Sequence, residues 1–376
     1  MNFDKIIDRR DSNSEKYHYF DDDILPMWVA DMDIATPQFI LDDIKARLNH
    51  PILGYEMISD KTYQAQIDWL KYRYDLDTKR EWFLYSPSIL ISINIAITTF
   101  SNIGDEIIAQ PPIYPPFISS IINQNRVFIS NPLKKDIDGI YRFDIDDFKS
   151  KITPKTKIFL LCSPHNPVGR VWSIDELKEI IEICNKHNII IISDEIHSDL
   201  SFTTHTPSIK ISQDNIISLQ GVGKTFNISG MSISTIMIPN RELREKFKIN
   251  YNNLHLGEGN ILSHIAFESA YNNAYEYIEK LLEYIKSNFG LLENLVNKYP
   301  NKIRFIPPQA SYLAWIDFNQ LNLDDNQLHK LLKNRKLGLS QGVSFGDGGS
   351  GYMRMNCAVP KSVMIEAIKR LEKSII

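Results

Sequence analysis

The chain has 376 residues, of which 43% are hydrophobic, so it has enough apolar material for a large buried core. Its formal net charge of −4 and the lack of a basic cluster argue against nucleic acid as a partner. Three scattered cysteines without CxxC spacing argue against a disulfide framework and against a metal site. The first residues lack the apolar stretch of a signal peptide and no long apolar run follows, so we expect a cytoplasmic protein without a membrane partner.

The middle of the chain alternates between short apolar runs and amphipathic stretches. The apolar runs predict buried strands at 106–109, 127–129, 157–162, 189–192, 216–219 and 234–238. Between two of these runs, Ser173 and Glu176 have the spacing of a capping box and predict a helix that ends near His187. The alternation predicts an α/β fold with a central, mostly parallel sheet that helices flank on both faces.

The pattern changes after about Asn273. Long amphipathic stretches predict helices at 275–299 and 325–337, and the apolar run 312–316 predicts a strand between them.

Three polar residues follow apolar runs in the middle of the chain: Asn166, Asp194 and Lys224. Sites in α/β sheets form at the carboxyl ends of strands, so these three side chains are expected to lie together. The set suits pyridoxal phosphate (PLP), because a lysine amine can bind the cofactor's aldehyde and later move protons. A carboxylate such as Asp194 keeps the pyridine nitrogen protonated, and a polar group such as Asn166 can bind the phenolic oxygen.

Lys224 also allows a second interpretation. Gly223-Lys224-Thr225 matches the last three residues of a nucleotide-binding P-loop. That motif requires a glycine at position 218, where this chain has Ser218. The small residues Gly221-Val222-Gly223, which let the backbone approach a ligand closely, favour the PLP lysine.

Several longer segments surround these residues. They are Pro26-Met27-Trp28-Val29-Ala30-Asp31-Met32-Asp33, Gly54-Tyr55, Pro112-Ile113-Tyr114-Pro115-Pro116-Phe117, Asn166-Pro167-Val168-Gly169, Ser193-Asp194-Glu195-Ile196-His197, Gly223-Lys224-Thr225-Phe226-Asn227 and Tyr352-Met353-Arg354-Met355-Asn356. Together they resemble the fold-type I, class I/II aminotransferase superfamily. Within it they are similar to the MalY/PatB branch of cysteine-conjugate and cystathionine β-lyases. The resemblance runs from about Trp28 to the end of the chain.

The resemblance implies a particular architecture. It implies a fold-type I α/β protein whose large PLP-binding domain covers 46–273. It also implies a smaller α/β domain that both termini form, at 1–45 and 274–376. In this superfamily the enzyme works as a homodimer, in which Tyr55 would complete the neighbouring subunit's cofactor and substrate site.

The resemblance also implies roles for residues around the cofactor ring. Tyr114, which we expect among the catalytic residues with Lys224 and Asp194, would stack on one face of the ring, and Ile196 would cover the other. His197 stands where many aminotransferases have a tyrosine that touches the phenolic oxygen. Histidine is the form seen in the β-lyase branch, so His197 favours a lyase.

The phosphate site departs from the family pattern. Ser88, Ile89 and Leu90 are expected to begin a helix whose backbone N–H groups receive the phosphate. The usual glycine of that turn is Ser88 here, and the serine that often precedes the lysine is Gly223. One phosphate hydroxyl is therefore missing from its usual position, so Tyr55 is expected to matter more.

Arg354 resembles the arginine that binds the substrate's α-carboxylate, with Asn166 and Tyr55 beside it. A guanidinium suits this role because its planar fork binds a carboxylate through two hydrogen bonds. The Pro-Gly that usually precedes this arginine's loop is Gln341-Gly342 in this chain.

The resemblance implies β-elimination from an S-substituted L-cysteine such as cystathionine, with a thiol, pyruvate and ammonia as products. An aminotransferase acting on an L-amino acid is the nearest alternative, because it shares the first half of the reaction. A regulatory protein is another alternative, since a relative in this branch doubles as an inhibitor of a transcription factor. The complete set Asn166, Asp194, Lys224 and Arg354 argues against a purely non-catalytic role.

Overall fold

The structure is a computed structural model that describes residues 1–257 and 259–376. Its helices are α1 Glu15–His18, α2 Gln38–Leu48, α3 Asp60–Tyr74, α4 Ile89–Phe100, α5 Pro115–Ile122, α6 Ile145–Ser150, α7 Ile174–Lys186, α8 Ser208–Ile211, α9 Arg241–Asn253, α10 Ile261–Asn272, α11 Ala274–Lys298, α12 Asp325–Asn334 and α13 Lys361–Ile375. Its strands are β1 Leu25–Pro26, β2 Phe83–Ser86, β3 Glu106–Ala109, β4 Val127–Ser130, β5 Lys134–Lys135, β6 Tyr141–Arg142, β7 Thr156–Cys162, β8 Ile190–Asp194, β9 Ile216–Gln220, β10 Ser234–Met237, β11 Arg304–Phe305, β12 Leu313–Asp317, β13 Leu337–Gly338, β14 Ser340–Gln341 and β15 Tyr352–Asn356.

A mixed, mostly parallel sheet forms the centre of the molecule. Its order is β2-β10-β9-β8-β7-β3-β4, in which β10 is antiparallel to both of its neighbours and the five strands from β9 to β4 are parallel. Apolar side chains on both faces of the parallel strands are buried, because helices cover the two faces. The expected α/β fold is therefore confirmed.

The parallel strands bring the polar residues together. Cys162 of β7 pairs with Asp194 of β8, and Asp194 pairs with Leu219 of β9, so the carboxyl ends of these strands meet at one edge. Asn166 and Lys224 lie just beyond the ends of β7 and β9, in the loops at this same edge. The sheet edge is thus the base of the candidate site.

A second, antiparallel sheet has the order β11-β12-β15-β14. The strand β15 carries Arg354, which pairs with Trp315 on one side and with Ser340 on the other. Near the N-terminus, β1 pairs in parallel with β13. The division into domains at 46–273 and at 1–45 with 274–376 stays a prediction.

The elements that the sequence predicted lie where it placed them, apart from the end of one helix. Among the strands of the central sheet, β2 was not predicted. The helix predicted at 325–337 ends at Asn334, because Lys336 adopts a left-handed φ of 60° and Leu337 pairs with Leu25. In the part of the chain that the structure describes, no helix combines the length and apolar character needed to cross a bilayer.

Candidate active site

One cavity of 240 Å³ gathers most of the predicted site residues. It lies at the carboxyl edge of the main sheet and is bounded on another side by the β15 strand of the second sheet. The predicted residues that line it are Ser88, Ile89, Leu90, Tyr114, Asn166, Asp194, Ile196, His197, Lys224 and Arg354. The structure thus brings together residues that are far apart in the chain, with the exception of Tyr55.

Lys224 stands in the loop after β9, with its ammonium group inside the cavity. Its Nζ donates a hydrogen bond to the carbonyl oxygen of Ala30 at 2.8 Å. Burial, followed by the nearby positive charge of Arg354, lowers the pKa of the Lys224 amine. A lowered pKa raises the fraction of neutral amine, which is the form that acts as a nucleophile or base.

Asp194 ends β8 and is 6% exposed. Its Oδ1 accepts a hydrogen bond from the backbone N–H of Ile196 at 3.0 Å. Burial raises the pKa of this carboxyl to about 7, against the lowering effects of that hydrogen bond and of Lys224. A buried carboxylate with so little compensation favours a cationic partner, such as a protonated ring nitrogen, in the cavity.

His197 and Tyr114 contribute rings to the cavity walls. His197 is buried, and burial lowers its pKa to about 3, so the imidazole is neutral. Its Nδ1 is buried without a hydrogen-bond partner among the described residues. Tyr114 precedes α5, and burial raises the pKa of its phenol, so this side chain also stays neutral.

Arg354 is held in place from three sides. Its Nη1 donates to Oδ1 of Asn166 at 3.0 Å, and its Nη2 donates to the carbonyl oxygen of Trp28 at 3.1 Å and to Oγ of Ser340 at 3.5 Å. Burial lowers the pKa of the guanidinium to about 10, so it stays charged at neutral pH. Its partners are neutral oxygen atoms, and the positive charge remains available for an anion.

The N-terminus of α4 also lines the cavity. Ser88 has extended backbone angles, φ −162° and ψ 157°, and its Oγ accepts from the N–H of Ile91 at 3.3 Å. The departure from glycine at this position therefore carries no backbone strain. The N–H groups of Ile89 and Leu90 have no acceptor within their own helix and can bind an anion.

Tyr55 lies apart from this cavity, on a fully exposed segment. The cavity of its own chain is therefore lined without it. Its expected contribution to a neighbouring subunit stays a prediction. The P-loop interpretation finds no support, because Thr225, the residue that would bind a metal ion in a P-loop, is buried and does not line the cavity.

Several groups at the site were missed by the sequence analysis. The carbonyls of Trp28 and Ala30 bind Arg354 and Lys224, and Asn227 holds this segment through its bonds to Met32 and Ile34. The motifs that contain Trp28 and Asn227 were recognised without a role for them, because backbone contacts leave little signal in a sequence. Ser340, beside the departure at Gln341-Gly342, was also missed.

The arrangement fits PLP. Lys224 offers an amine, Asp194 offers a buried carboxylate, and the start of α4 offers backbone donors for a phosphate. The neutral His197 carries an unpartnered buried nitrogen, which a polar ligand can satisfy. Gly221 leaves room for Ile196, since a Cβ on Gly221 would lie 3.2 Å from its Cδ1 atom.

A larger cavity of 810 Å³ lies elsewhere, beside the β5–β6 hairpin. It is lined by neither Lys224, Asp194 nor Arg354. Size alone therefore does not select the candidate site; the convergence of charged groups with shifted pKa values favours the smaller cavity.

Comparison with known proteins agrees with this geometry. The model of the family "Aminotransferase class I and II" matches residues 31–371. The chain belongs to the class I and II aminotransferase family. A curated relative, the cystathionine beta-lyase PatB of Bacillus subtilis (strain 168), is 35% identical over the full length of both chains.

Two solved structures are similar to this protein over its full length. A PLP-bound protein of Clostridium difficile 630, provisionally described as an aminotransferase, has a TM-score of 0.97 at 39% identity and covers 100% of both chains. The PLP-bound C-S lyase of Staphylococcus hominis has a TM-score of 0.93 at 31% identity, over 100% of this chain and 98% of that one. The expected fold-type I architecture is therefore confirmed.

Proposed function

We propose that this protein is a PLP-dependent carbon–sulfur β-lyase that cleaves L-cystathionine or another S-substituted L-cysteine to a thiol, pyruvate and ammonia. The observation that carries the proposal is a cavity whose lining includes Lys224, Asp194 and Arg354. The relatives from Bacillus subtilis and Staphylococcus hominis, named as a cystathionine beta-lyase and a C-S lyase, support the same reaction.

The residues divide the chemistry among them. PLP, when bound, supplies an aldehyde for the amino group and a ring that accepts the electron pair released at the α-carbon. Arg354 and Asn166 bind and orient the α-carboxylate, and the lowered pKa of Lys224 makes its amine available to accept the α-proton. Asp194 would hold the proton on the pyridine nitrogen, since its burial favours a cationic partner.

Elimination and transamination diverge after the α-proton has left. A thiolate at the β-position is a good leaving group, and a pocket that holds the sulfur in line favours its departure. The alternative function is that of an aminotransferase acting on an L-amino acid. The description of the Clostridium difficile structure favours it.

The deciding experiment incubates the purified protein with L-cystathionine and with S-alkyl cysteines, without any 2-oxo acid. We expect equal amounts of pyruvate, ammonia and thiol. The Lys224→Ala variant is the control for non-enzymatic release. Turnover that requires a 2-oxo acid and converts it to an amino acid would identify an aminotransferase instead.

We also propose a homodimer in the cytoplasm. The segment around Tyr55 exposes several large apolar side chains, namely Ile52, Leu53, Tyr55 and Met57, which suits a surface that a second subunit covers. All three cysteines are free and buried, as expected in a reducing compartment.

A further inference from the structure

Ser229 places a hydroxyl group at the mouth of the candidate active site. It begins a short 3-10 turn, Ser229–Met231, lines the cavity and is exposed. Its hydroxyl makes no hydrogen bond with any residue that the structure describes. The hydroxyl of Ser234, which lines the same cavity, instead donates to the carbonyl oxygen of Ser86 at 3.0 Å. Of these two serines, Ser229 is the one with a proton available to a ligand.

The position of this hydroxyl is tied to Gly223. The N–H of Ile228 donates to the carbonyl of Gly223 at 3.0 Å, so the loop after Lys224 folds back on its own start. A Cβ on Gly223 would lie 3.1 Å from Oγ of Ser229 and 3.2 Å from its Cα. The Ser229 hydroxyl therefore lies within van der Waals distance of where a side chain at position 223 would begin.

A phosphate bound at the start of α4 would need further hydrogen-bond donors, which the loop after Lys224 can supply. The N–H groups of Ile89 and Leu90 supply two from the helix. Among the described residues that line the cavity, the lysine and arginine side chains are those of Lys224 and Arg354. In the proposed reaction Lys224 binds the cofactor's aldehyde and Arg354 binds the substrate's carboxylate, so neither is assigned to the phosphate. A hydroxyl that donates to a phosphate forms a charge-assisted hydrogen bond, which is stronger than a neutral one.

We propose that Ser229 donates a hydrogen bond to the phosphate of PLP and replaces the hydroxyl missing at Gly223. The inference rests on the PLP dependence of the proposed function and is independent of the choice between lyase and aminotransferase. In this role Ser229 would help to retain the cofactor, so a substitution of Ser229 should change the affinity for PLP.

The test titrates the apoprotein with PLP and, separately, with pyridoxal, which lacks the phosphate, and follows absorbance and protein fluorescence. We expect Ser229→Ala to raise the Kd for PLP about tenfold, as the loss of one charge-assisted hydrogen bond implies. The Kd for pyridoxal should not change. Ser232→Ala is the matched control, because Ser232 is exposed on the same turn and does not line the cavity.

A rescue experiment separates loss of the hydroxyl from damage to the loop. In the double variant Gly223→Ser with Ser229→Ala, the hydroxyl returns at position 223 and the contact with the Ser229 oxygen is removed. We expect this protein to regain most of the affinity for PLP. An unchanged Kd in Ser229→Ala, or equal losses for PLP and pyridoxal, would overturn the inference. A wild-type apoprotein that binds no PLP would overturn the cofactor assignment itself.

Discussion

At the scale of single residues, the candidate active site contains charged groups that are buried without full compensation. Asp194 has one backbone hydrogen bond, and Arg354 has neutral oxygen partners. The pKa shifts of Asp194, Lys224 and Arg354 are all dominated by burial. Buried ionic groups are costly, and such a set is expected where ligands supply the opposite charges.

The covalent role of Lys224 is open to direct chemical labelling. Borohydride reduction of the PLP-loaded protein should fix the cofactor on a peptide that contains Lys224, because this amine has a lowered pKa and faces the cavity. Peptide mapping by mass spectrometry measures the site. Lys224→Ala should remain unlabelled, and the exposed control Lys45→Ala should label like the wild type. Modification of a different lysine would contradict the assignment.

Asp194→Asn should lower turnover by at least about 100-fold, because a neutral amide cannot stabilise a charge on the ring. The fold should persist, since Asn retains an oxygen for the N–H of Ile196. Steady-state kinetics with cystathionine measures the effect. Asp214→Asn, an exposed site, serves as the control, and near-wild-type turnover in Asp194→Asn would reject the role.

The Asp194→Asn variant also tests how the stability of the apoprotein depends on pH. In the folded protein the pKa of Asp194 is about 7, whereas its ordinary value is 3.8. At a pH between these two values, the folded state therefore holds a proton on Asp194 that the unfolded state has lost. Wild-type stability therefore decreases through this group as the pH rises. Asp194→Asn lacks this titrating group. As the pH rises from about 5 to 6.5, its free energy of unfolding relative to that of the wild type should therefore increase by up to about 1.4 kcal/mol per pH unit. Urea denaturation at several pH values tests this; a difference independent of pH would contradict the shift.

Arg354→Ala should raise the KM for cystathionine by about 100-fold, because a charged partner of the α-carboxylate is lost. Binding of a decarboxylated substrate analogue, followed by absorbance, should be indifferent to the change. Arg354→Lys should recover only part of the affinity, because an ammonium group lacks the planar fork. Equal losses for amino acids and amines would assign Arg354 a structural role.

At the scale of elements, helix ends decide both stability and binding. The capping box predicted at α7 is present: Oγ of Ser173 accepts from the N–H of Glu176 at 3.2 Å, and Oε2 of Glu176 accepts from the N–H of Ser173 at 2.8 Å. Glu176 also binds Arg170 at 2.9 and 2.8 Å. Side chains of α7 and its cap thus bind backbone N–H groups at the start of this helix. At the start of α4, by contrast, the N–H groups of Ile89 and Leu90 remain available to a ligand.

Ser173→Ala should lower the free energy of unfolding by about 1 kcal/mol, the usual loss for an N-cap serine. PLP affinity should not change, because Ser173 does not line the cavity. Urea denaturation and PLP titration measure the two effects. Ser119→Ala, whose hydroxyl makes only a 3.3 Å bond to Pro116, is the control. A loss of PLP affinity in Ser173→Ala would show that α7 is coupled to the site.

At the scale of the whole molecule, the site draws on segments from both ends of the chain. Trp28 near the N-terminus binds Arg354 near the C-terminus, and Lys224 from the middle binds Ala30. The segment around Tyr55 lies outside this assembly and exposes its side chains. A second subunit is the proposed partner for it.

The proposed dimer can be tested by subunit complementation. Tyr55→Ala and Lys224→Ala should each be nearly inactive as separate proteins, since each damages every site of its own dimer. The two proteins are then partially unfolded, mixed and refolded together. If half of the dimers are mixed and each mixed dimer has one intact site, about a quarter of all sites, and so about a quarter of the wild-type activity, should return. Light scattering checks the dimer. A mixture that stays inactive would place Tyr55 outside the neighbouring site.

The sequence by itself predicted the parallel strands of the central sheet, several helices and the chemistry of the candidate site. Apolar runs of strand length identified the buried parallel strands, and the capping box identified the start of α7, because both signals depend on local periodicity and spacing. Asp194 and Lys224 were predicted from their places after apolar runs, and Arg354 from the resemblance of its motif to the family; their roles stay predictions.

Only the tertiary structure decided how these residues are supported. The carbonyls of Trp28 and Ala30 bind the two cations of the site, and the Ser229 hydroxyl lies beside Gly223. Any residue can supply a backbone carbonyl, and the place of a loop serine depends on how its turn closes. Such contacts join positions distant in the chain and have no local pattern, so they emerge only when the sheets and loops have packed.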